Sequence, residues 1–114
     1  MTNKMRAIHP GEILRDELEY LGLSANQFAM RLHVPANRIT TILNGKRSIT
    51  AETALRLSRF FGTTPEFWIN LQTSYDLKIE YNRSWNDITH QVEKEVQLLN
   101  RGKKILDPKQ LEAP

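Results

Sequence analysis

Apolar residues recur every three or four positions along most of the chain, which is the spacing of amphipathic helices. No sustained alternation of apolar and polar residues is present, and no hairpin dipeptide separates β-branched runs, so strands are not predicted. The pattern predicts an all-α fold with five short helices. Their inward positions are Ile13, Leu14, Leu18, Leu21; Phe28, Ala29, Leu32; Ile39, Ile42, Leu43; Ala54, Leu57, Ser58, Phe61; and Phe67, Trp68, Leu71, Leu77.

Capping and turn residues mark the predicted helix ends. Ser24 and Gln27 have the spacing of a capping box at the start of the second helix. Pro35 suits the first position of the third helix, and Asn44-Gly45 suits its end. The remaining signals are His9-Pro10 before the first helix, Thr50 before the fourth, Thr64-Pro65 before the fifth, and the terminating Gly22 and Gly62.

A sixth apolar stripe follows the five-helix pattern. Ser84 is a suitable N-cap for it and Gly102 a suitable end, and its apolar positions are Trp85, Ile88, Val92, Val96 and Leu99. The predicted organisation is a short arm over 1–9, a helical domain over 10–81, an amphipathic helix over 82–102 and a flexible tail over 103–114.

The charge of the chain is segregated. The formal net charge of +3 is the sum of −1 over residues 1–23, +5 over 24–62, −3 over 63–99 and +2 from residue 100 onward. A basic block beside an acidic one suggests two faces with different partners, although ordinary solvated faces remain the alternative. The chain has no cysteine, no apolar run approaching the roughly 20 residues of a membrane span and no apolar leader segment. We therefore expect a cytoplasmic protein without disulfides or membrane association.

The second and third predicted helices have the spacing of a helix-turn-helix, with the turn around His33. On the third helix, Asn can bond adenine, Arg can bond guanine, and Thr offers thymine a hydroxyl and a methyl group. The Gly45-Lys46-Arg47 segment then supplies amides and cations for a phosphate. The alternative is a small helical bundle with a basic surface. The exposed positions of the third helix are Ala36, Asn37, Arg38, Thr40, Thr41 and Asn44.

Enzymatic signatures are absent from the sequence. His9, His33 and His90 lie far apart, without the spacing of metal ligands or of a catalytic triad. Surface or helix-capping roles are expected for them. No catalytic residue, cofactor or metal site is predicted.

The central part of the chain resembles the Cro/CI-type (XRE-like) helix-turn-helix regulators over residues 11–71. The resemblance rests on Gln27-Phe28-Ala29, Ile39, Leu43-Asn44-Gly45 and Phe61-Gly62. It implies that Ala36, Asn37 and Thr41 read the major groove and that Asn44 contacts phosphate. Many members have Gln where this chain has Ala25, so Asn26 or Gln27 is expected to substitute. The predicted DNA-binding residues are Asn26, Gln27, Pro35, Ala36, Asn37, Arg38, Thr40, Thr41, Asn44, Lys46 and Arg47.

Two flanking strings resemble the HigA/VapI antitoxins of bacterial toxin–antitoxin modules. They are His9-Pro10-Gly11-Glu12-Ile13-Leu14 and the segment from Thr64 to Gln72 followed by Tyr75-Asp76-Leu77. This resemblance implies a protein that neutralises a HigB-like mRNA interferase toxin and represses its own operon. The alternative is a stand-alone XRE-type regulator without a toxin partner.

A homodimer on a palindromic operator is expected, because one helix-turn-helix reads about one half-site. The recognition helices of the two protomers would then lie ~34 Å apart. The apolar stripe after residue 82 could meet a second protomer, its own bundle or the toxin. The candidate contacts to a second protomer or a toxin are Leu77, Ile79, Tyr81, Trp85, Ile88 and Val92.

Overall fold

The computed structural model describes residues 6–92, which form five α-helices and no strand. The all-α prediction is therefore confirmed for this part of the chain. None of the helices within it combines the length and hydrophobicity that a membrane span requires. The helices are α1 (Pro10–Leu21), α2 (Ala25–Leu32), α3 (Ala36–Leu43), α4 (Ala51–Phe61) and α5 (Pro65–Gln91).

The hydrophobic core surrounds α3, which packs against both α1 and α2. Trp68 is only 2% exposed, but its neighbour Phe67 is 44% exposed, so the prediction of a core role for Phe67 is wrong. Phe67 instead packs edge-on against Trp68 from the outside. The core residues are Leu14, Leu18, Phe28, Ala29, Leu32, Ile39, Ile42, Ile49, Ala54, Leu57 and Trp68.

The predicted helix caps are largely as expected. Ser24 and Gln27 form both hydrogen bonds of the capping box, and Gly22 and Gly62 end α1 and α4 in the left-handed conformation. Pro35 is the N-cap of α3 rather than its first helical residue, with extended backbone. His33 ends α2 with a φ of 58°, so the helix-turn-helix turn uses a residue other than glycine in the left-handed region.

α5 is longer than the sequence pattern predicts. It continues through Ser84 to Gln91, so the prediction that Ser84 starts a new helix is wrong. No glycine or proline lies between Glu66 and Gln91 to interrupt the helix. The rest of the predicted C-terminal helix, including Val96 and Leu99, and the predicted tail lie outside the described residues.

Contacts within the chain divide it into two units, one ending at Asn82 and the other beginning at Arg83. The first unit holds α1 to α4 and the core. The second is described only as far as Val92, where the ring of His90 and the hydroxyl of Thr89 both bond the carbonyl of Asn86. The side chains of Trp85, Ile88 and Val92 are exposed there.

Gly11 allows α1 and α3 to meet at backbone distance. A Cβ atom at Gly11 would lie 2.0 Å from the carbonyl oxygen of Ile42, which is far inside contact distance. Because the obstructing atom is backbone, no rotamer change can relieve the overlap. The glycine therefore determines how closely the first turn of α1 approaches the last turn of α3.

We expect Gly11→Ala to lower the free energy of unfolding by about 3 kcal/mol, because the helices must separate to admit the methyl group. Glu17→Ala, on the exposed side of α1, is the matched control and should change stability by less than about 0.5 kcal/mol. Urea denaturation of both variants measures the difference. Equal stabilities for the two would contradict the close-contact argument.

Candidate nucleic-acid interface

The outer face of α3 carries small and hydrogen-bonding side chains. Ala36 and Asn37 are exposed, while Thr40 and Thr41 are half-buried. The Thr41 hydroxyl donates to the Asn37 carbonyl at 2.6 Å, and that of Thr40 donates to the same carbonyl at 3.3 Å. Their hydroxyl protons are thus engaged by the backbone, so each hydroxyl is left to act toward a base as an acceptor. The amide of Asn37 retains both donor and acceptor groups for a base edge.

Arg38 has a different environment from the other predicted DNA-binding residues. Its guanidinium pairs with the Glu52 carboxylate of α4 at 2.6 Å, and its side chain is 27% exposed. Arg56 pairs with the same carboxylate at 3.1 Å and donates to the Leu32 carbonyl at 2.9 Å. The hydrogen bond from Arg56, which has the larger effect, and the one from Arg38 both lower the pKa of the Glu52 carboxyl below its ordinary range. Arg38 therefore links α3 to α4, and its Nη1 is engaged by Glu52 rather than available to a base.

The turn after α3 supplies the exposed cations. Gly45 has a φ of 72°, and the chain then presents Lys46 and Arg47 at the surface. Neither forms an ion pair with a described residue. The Asn44 side chain is also exposed next to them. This turn has the composition and exposure of a phosphate-binding segment.

Arg15 of α1 reaches the same end of α3, and sequence reasoning missed it. Its guanidinium donates to the Leu43 carbonyl at 3.1 Å and to Asn44 Oδ1 at 3.3 Å. A cation here complements the negative end of the α3 dipole. It also leaves the Asn44 amide nitrogen free to donate outward. The only signal in the sequence was a basic residue on the exposed side of α1.

Many members of the family have Gln at the position of Ala25, and Asn26 and Gln27 are the two candidates to replace it. Their side chains have different environments at the start of α2. The Gln27 side-chain oxygen accepts from the Ser24 N–H at 2.9 Å as part of the capping box. Asn26 is exposed and has no such engagement among the described residues. Asn26 is therefore the freer of the two side chains. Pro35 is exposed at the entrance to α3.

The helix-turn-helix and the turn after α3 carry mainly positive charge. No Asp or Glu occurs between Glu19 and Glu52, and Glu52 itself is paired with two arginines. The helix-turn-helix and the following turn therefore contain no unpaired carboxylate. Within the described residues, no cluster of His, Asp or Glu could hold a metal ion.

Two buried polar side chains, from α1 and α5, contact the turn that carries Lys46 and Arg47. His9 is 6% exposed, its Nδ1 accepts from the Gly11 N–H at 2.9 Å, and its ring lies against Gly45 and beside the backbone of Arg47. Gln72 is 5% exposed, and its Oε1 accepts from the Ile49 N–H at 2.8 Å. Neither was identified from the sequence as part of the site. His9 is the N-cap of α1, so the expected capping role is confirmed for it.

The six candidate contact residues for a second protomer or a toxin lie in two groups. In the first unit, Leu77, Ile79 and Tyr81 of α5 are all at least partly exposed. Trp85, Ile88 and Val92 are exposed in the second unit, as described above. Each side chain is thus accessible for a contact.

The helix-turn-helix family profile matches residues 14–68, which contain α2, α3 and their turn. A solved HigA-family addiction module antidote protein from Coxiella burnetii is 60% identical, with a TM-score of 0.76 over 78% of this chain and 98% of that one. Pseudomonas aeruginosa antitoxin HigA, solved with the higBA promoter, is 42% identical, with a TM-score of 0.76 over the same shares of the two chains. Virulence-associated protein I of Dichelobacter nodosus is 56% identical over 68% of this chain and 72% of its own.

The fold and the basic, acid-free face define a helix-turn-helix regulator of the XRE-like class. The similarity extends beyond this class to nearly the full length of individual HigA structures. The chain belongs to the HigA/VapI-type family of helix-turn-helix proteins. The family resemblance that the two flanking strings predict is thus confirmed.

Burial lowers the pKa of His9 below its ordinary value of 6.5, against the opposing charges of Asp76 on α5 and Glu12 on α1. The neutral ring, packed edge-on against Tyr75, is the form that accepts from Gly11. The unfolded chain therefore binds the proton first. Stability from this group is complete above pH 6.5 and is lost as the pH falls through 6.5 toward the folded pKa.

We expect the free energy of unfolding to fall between pH 7.5 and pH 5, and to fall less in His9→Asn. Asparagine can still cap α1 but does not titrate. The range stays above pH 5 so that the carboxylates contribute little. Denaturant titrations at several pH values measure both slopes, and parallel slopes would contradict the role of His9.

Proposed function

We propose that this protein binds the operator of its own operon through α3 and the turn that follows it, and neutralises a HigB-like mRNA interferase toxin. The observation that carries the DNA-binding half is the absence of any unpaired carboxylate from the helix-turn-helix, beside the exposed Lys46 and Arg47. Such a surface attracts a polyanion that approaches this face. It acts in the cytoplasm, where operator DNA and messenger RNA are both present.

The proposed DNA contacts fall into two groups, those with base edges and those with phosphates. Asn37 and Thr41, one turn apart on α3, face the base edges of the major groove, with Ala36 next to them. Asn44, Lys46 and Arg47 contact the phosphate backbone. The Pseudomonas aeruginosa antitoxin HigA, 42% identical and solved with the higBA promoter, supports binding of operator DNA by this fold.

Binding is proposed to require a homodimer on a palindromic operator. One α3 helix covers about one half-site, and a two-fold pair reads two half-sites ~34 Å apart. The exposed apolar residues of α5, from Leu77 onward, provide candidate contacts for the second protomer. The same residues are candidates for toxin contact.

The toxin-binding half of the proposal rests on family membership. The Coxiella burnetii relative is an addiction module antidote protein of the HigA family, and 98% of its chain is covered. The acidic block over residues 63–99 has a net charge of −3, which suits a basic partner. A RelE-like RNA-cleaving toxin would be such a partner.

We expect Asn37→Ala to weaken binding to the DNA upstream of its own reading frame by about 1–3 kcal/mol, with the loss confined to one base pair per half-site. Substituting that base pair should then change the DNA affinity of the variant only slightly. Asn70→Ala, the same change on an exposed position of α5, is the control. Footprinting and fluorescence anisotropy give the measurement, and an equal loss on every sequence would contradict base reading by Asn37.

Lys46→Ala is expected to weaken binding to all sequences alike. It should also lower the slope of log K against log salt concentration by about 1 for each protomer, since one phosphate contact is lost. Lys78→Ala, the same charge change on α5, should leave the slope unchanged. If both lysine variants lost affinity and salt slope equally, the loss would reflect only the change in net charge and would contradict a phosphate contact by Lys46.

Co-expression with the product of the neighbouring reading frame tests the toxin-binding half. We expect a small basic protein that arrests growth when expressed alone, co-purifies with this chain and loses its RNA-cleaving activity in the complex. Asn37→Ala should retain that complex, because α3 is assigned to DNA. A neighbour that neither co-purifies nor arrests growth would favour the stand-alone regulator.

A further inference from the structure

The basic turn after α3 is held by side chains from other helices. The end of α3 closes with bonds from the Gly45 N–H to the Ile42 carbonyl and from the Lys46 N–H to the Thr41 carbonyl. Beyond these, the His9 ring from the start of α1 lies against Gly45, where a Cβ atom would be 3.8 Å from its Cγ, and beside the Arg47 backbone. The Ile49 N–H donates to Gln72 Oε1 of α5 at 2.8 Å. The two side chains thus hold the turn on either side of Ser48.

The orientation of the Gln72 amide is itself determined by a neighbour. Its Nε2 donates to Asp76 Oδ1 at 3.0 Å, one turn further along α5. This bond directs Oε1 toward the Ile49 N–H, because a flipped amide would place its NH2 group against the Ile49 N–H and its oxygen against the Asp76 carboxylate. The negative charge of Asp76 also acts on His9. Asp76 therefore bonds Gln72 directly and acts on His9 through its charge alone.

We propose that His9 and Gln72 are positioning residues for phosphate binding, holding Lys46 and Arg47 where the DNA backbone can meet them. This proposal rests on the proposed operator binding. Both side chains are too buried to touch DNA, so they act only through the turn. When the turn is not held in this position, Lys46 and Arg47 no longer lie where they neutralise phosphates, so phosphate contacts are lost.

The test uses His9→Asn and Gln72→Met in the full-length chain. Asparagine can still accept from the Gly11 N–H but lacks the ring that lies against Gly45 and the Arg47 backbone. Methionine fills the space of Gln72 without its polar amide group. Having two variants on different helices keeps the test open should one of them not fold. Circular dichroism establishes that each is folded.

Operator binding is measured against salt concentration. We expect about tenfold weaker binding at low salt and a slope of log K against log salt reduced by about 1–2 for each protomer, as phosphate contacts are lost. Leu57→Val, a core change on α4, is the control for stability. It should leave the slope unchanged. Hydrogen exchange of the Ile49 N–H in the free protein should quicken in Gln72→Met.

The outcomes separate the two claims. A wild-type chain that binds no fragment upstream of its own gene overturns the proposed operator binding. Wild-type binding with the same salt slope in both folded variants overturns the positioning role alone. A reduced slope in Leu57→Val as well would also overturn it, because general destabilisation would then explain the loss.

Discussion

The contact between Gly11 and the Ile42 carbonyl is the constraint on which the site depends. It brings the first turn of α1 against the last turn of α3, and only glycine permits that distance. His9 caps the same turn of α1, and its ring lies against Gly45 and beside the backbone of Arg47. The recognition helix and the basic turn are thus located relative to α1 by one close backbone approach.

Charge pairing then determines which of the basic residues remain available. Glu52 pairs with Arg38 and Arg56, so two arginines of the basic block stabilise the packing of α2, α3 and α4. Neither Lys46 nor Arg47 forms an ion pair with a described residue, and the chain contains no Asp or Glu between Glu19 and Glu52. The modest net charge of the chain therefore understates the potential at the face proposed to bind DNA.

Local signals predicted the local structure well. The Ser24–Gln27 capping box and the left-handed glycines at positions 22 and 62 depend on residues adjacent in the chain, and each is present. Predictions failed where the outcome depended on residues distant in the chain, or on the lack of a residue that would end a helix. Ser84 is a good N-cap in isolation, but nothing before it ends α5, and Phe67 is apolar but lies outside the aromatic core.

The sequence by itself determined the helical class, the helix-turn-helix and the family, because these depend on periodicity, capping and short motifs. It also identified most of the residues on the proposed DNA-binding face. Only the tertiary structure decided that Arg38 is paired with Glu52, that Arg15 meets the end of α3, and that His9 and Gln72 hold the turn. These contacts join residues between 14 and 38 positions apart in the chain, and no local pattern specifies such pairs.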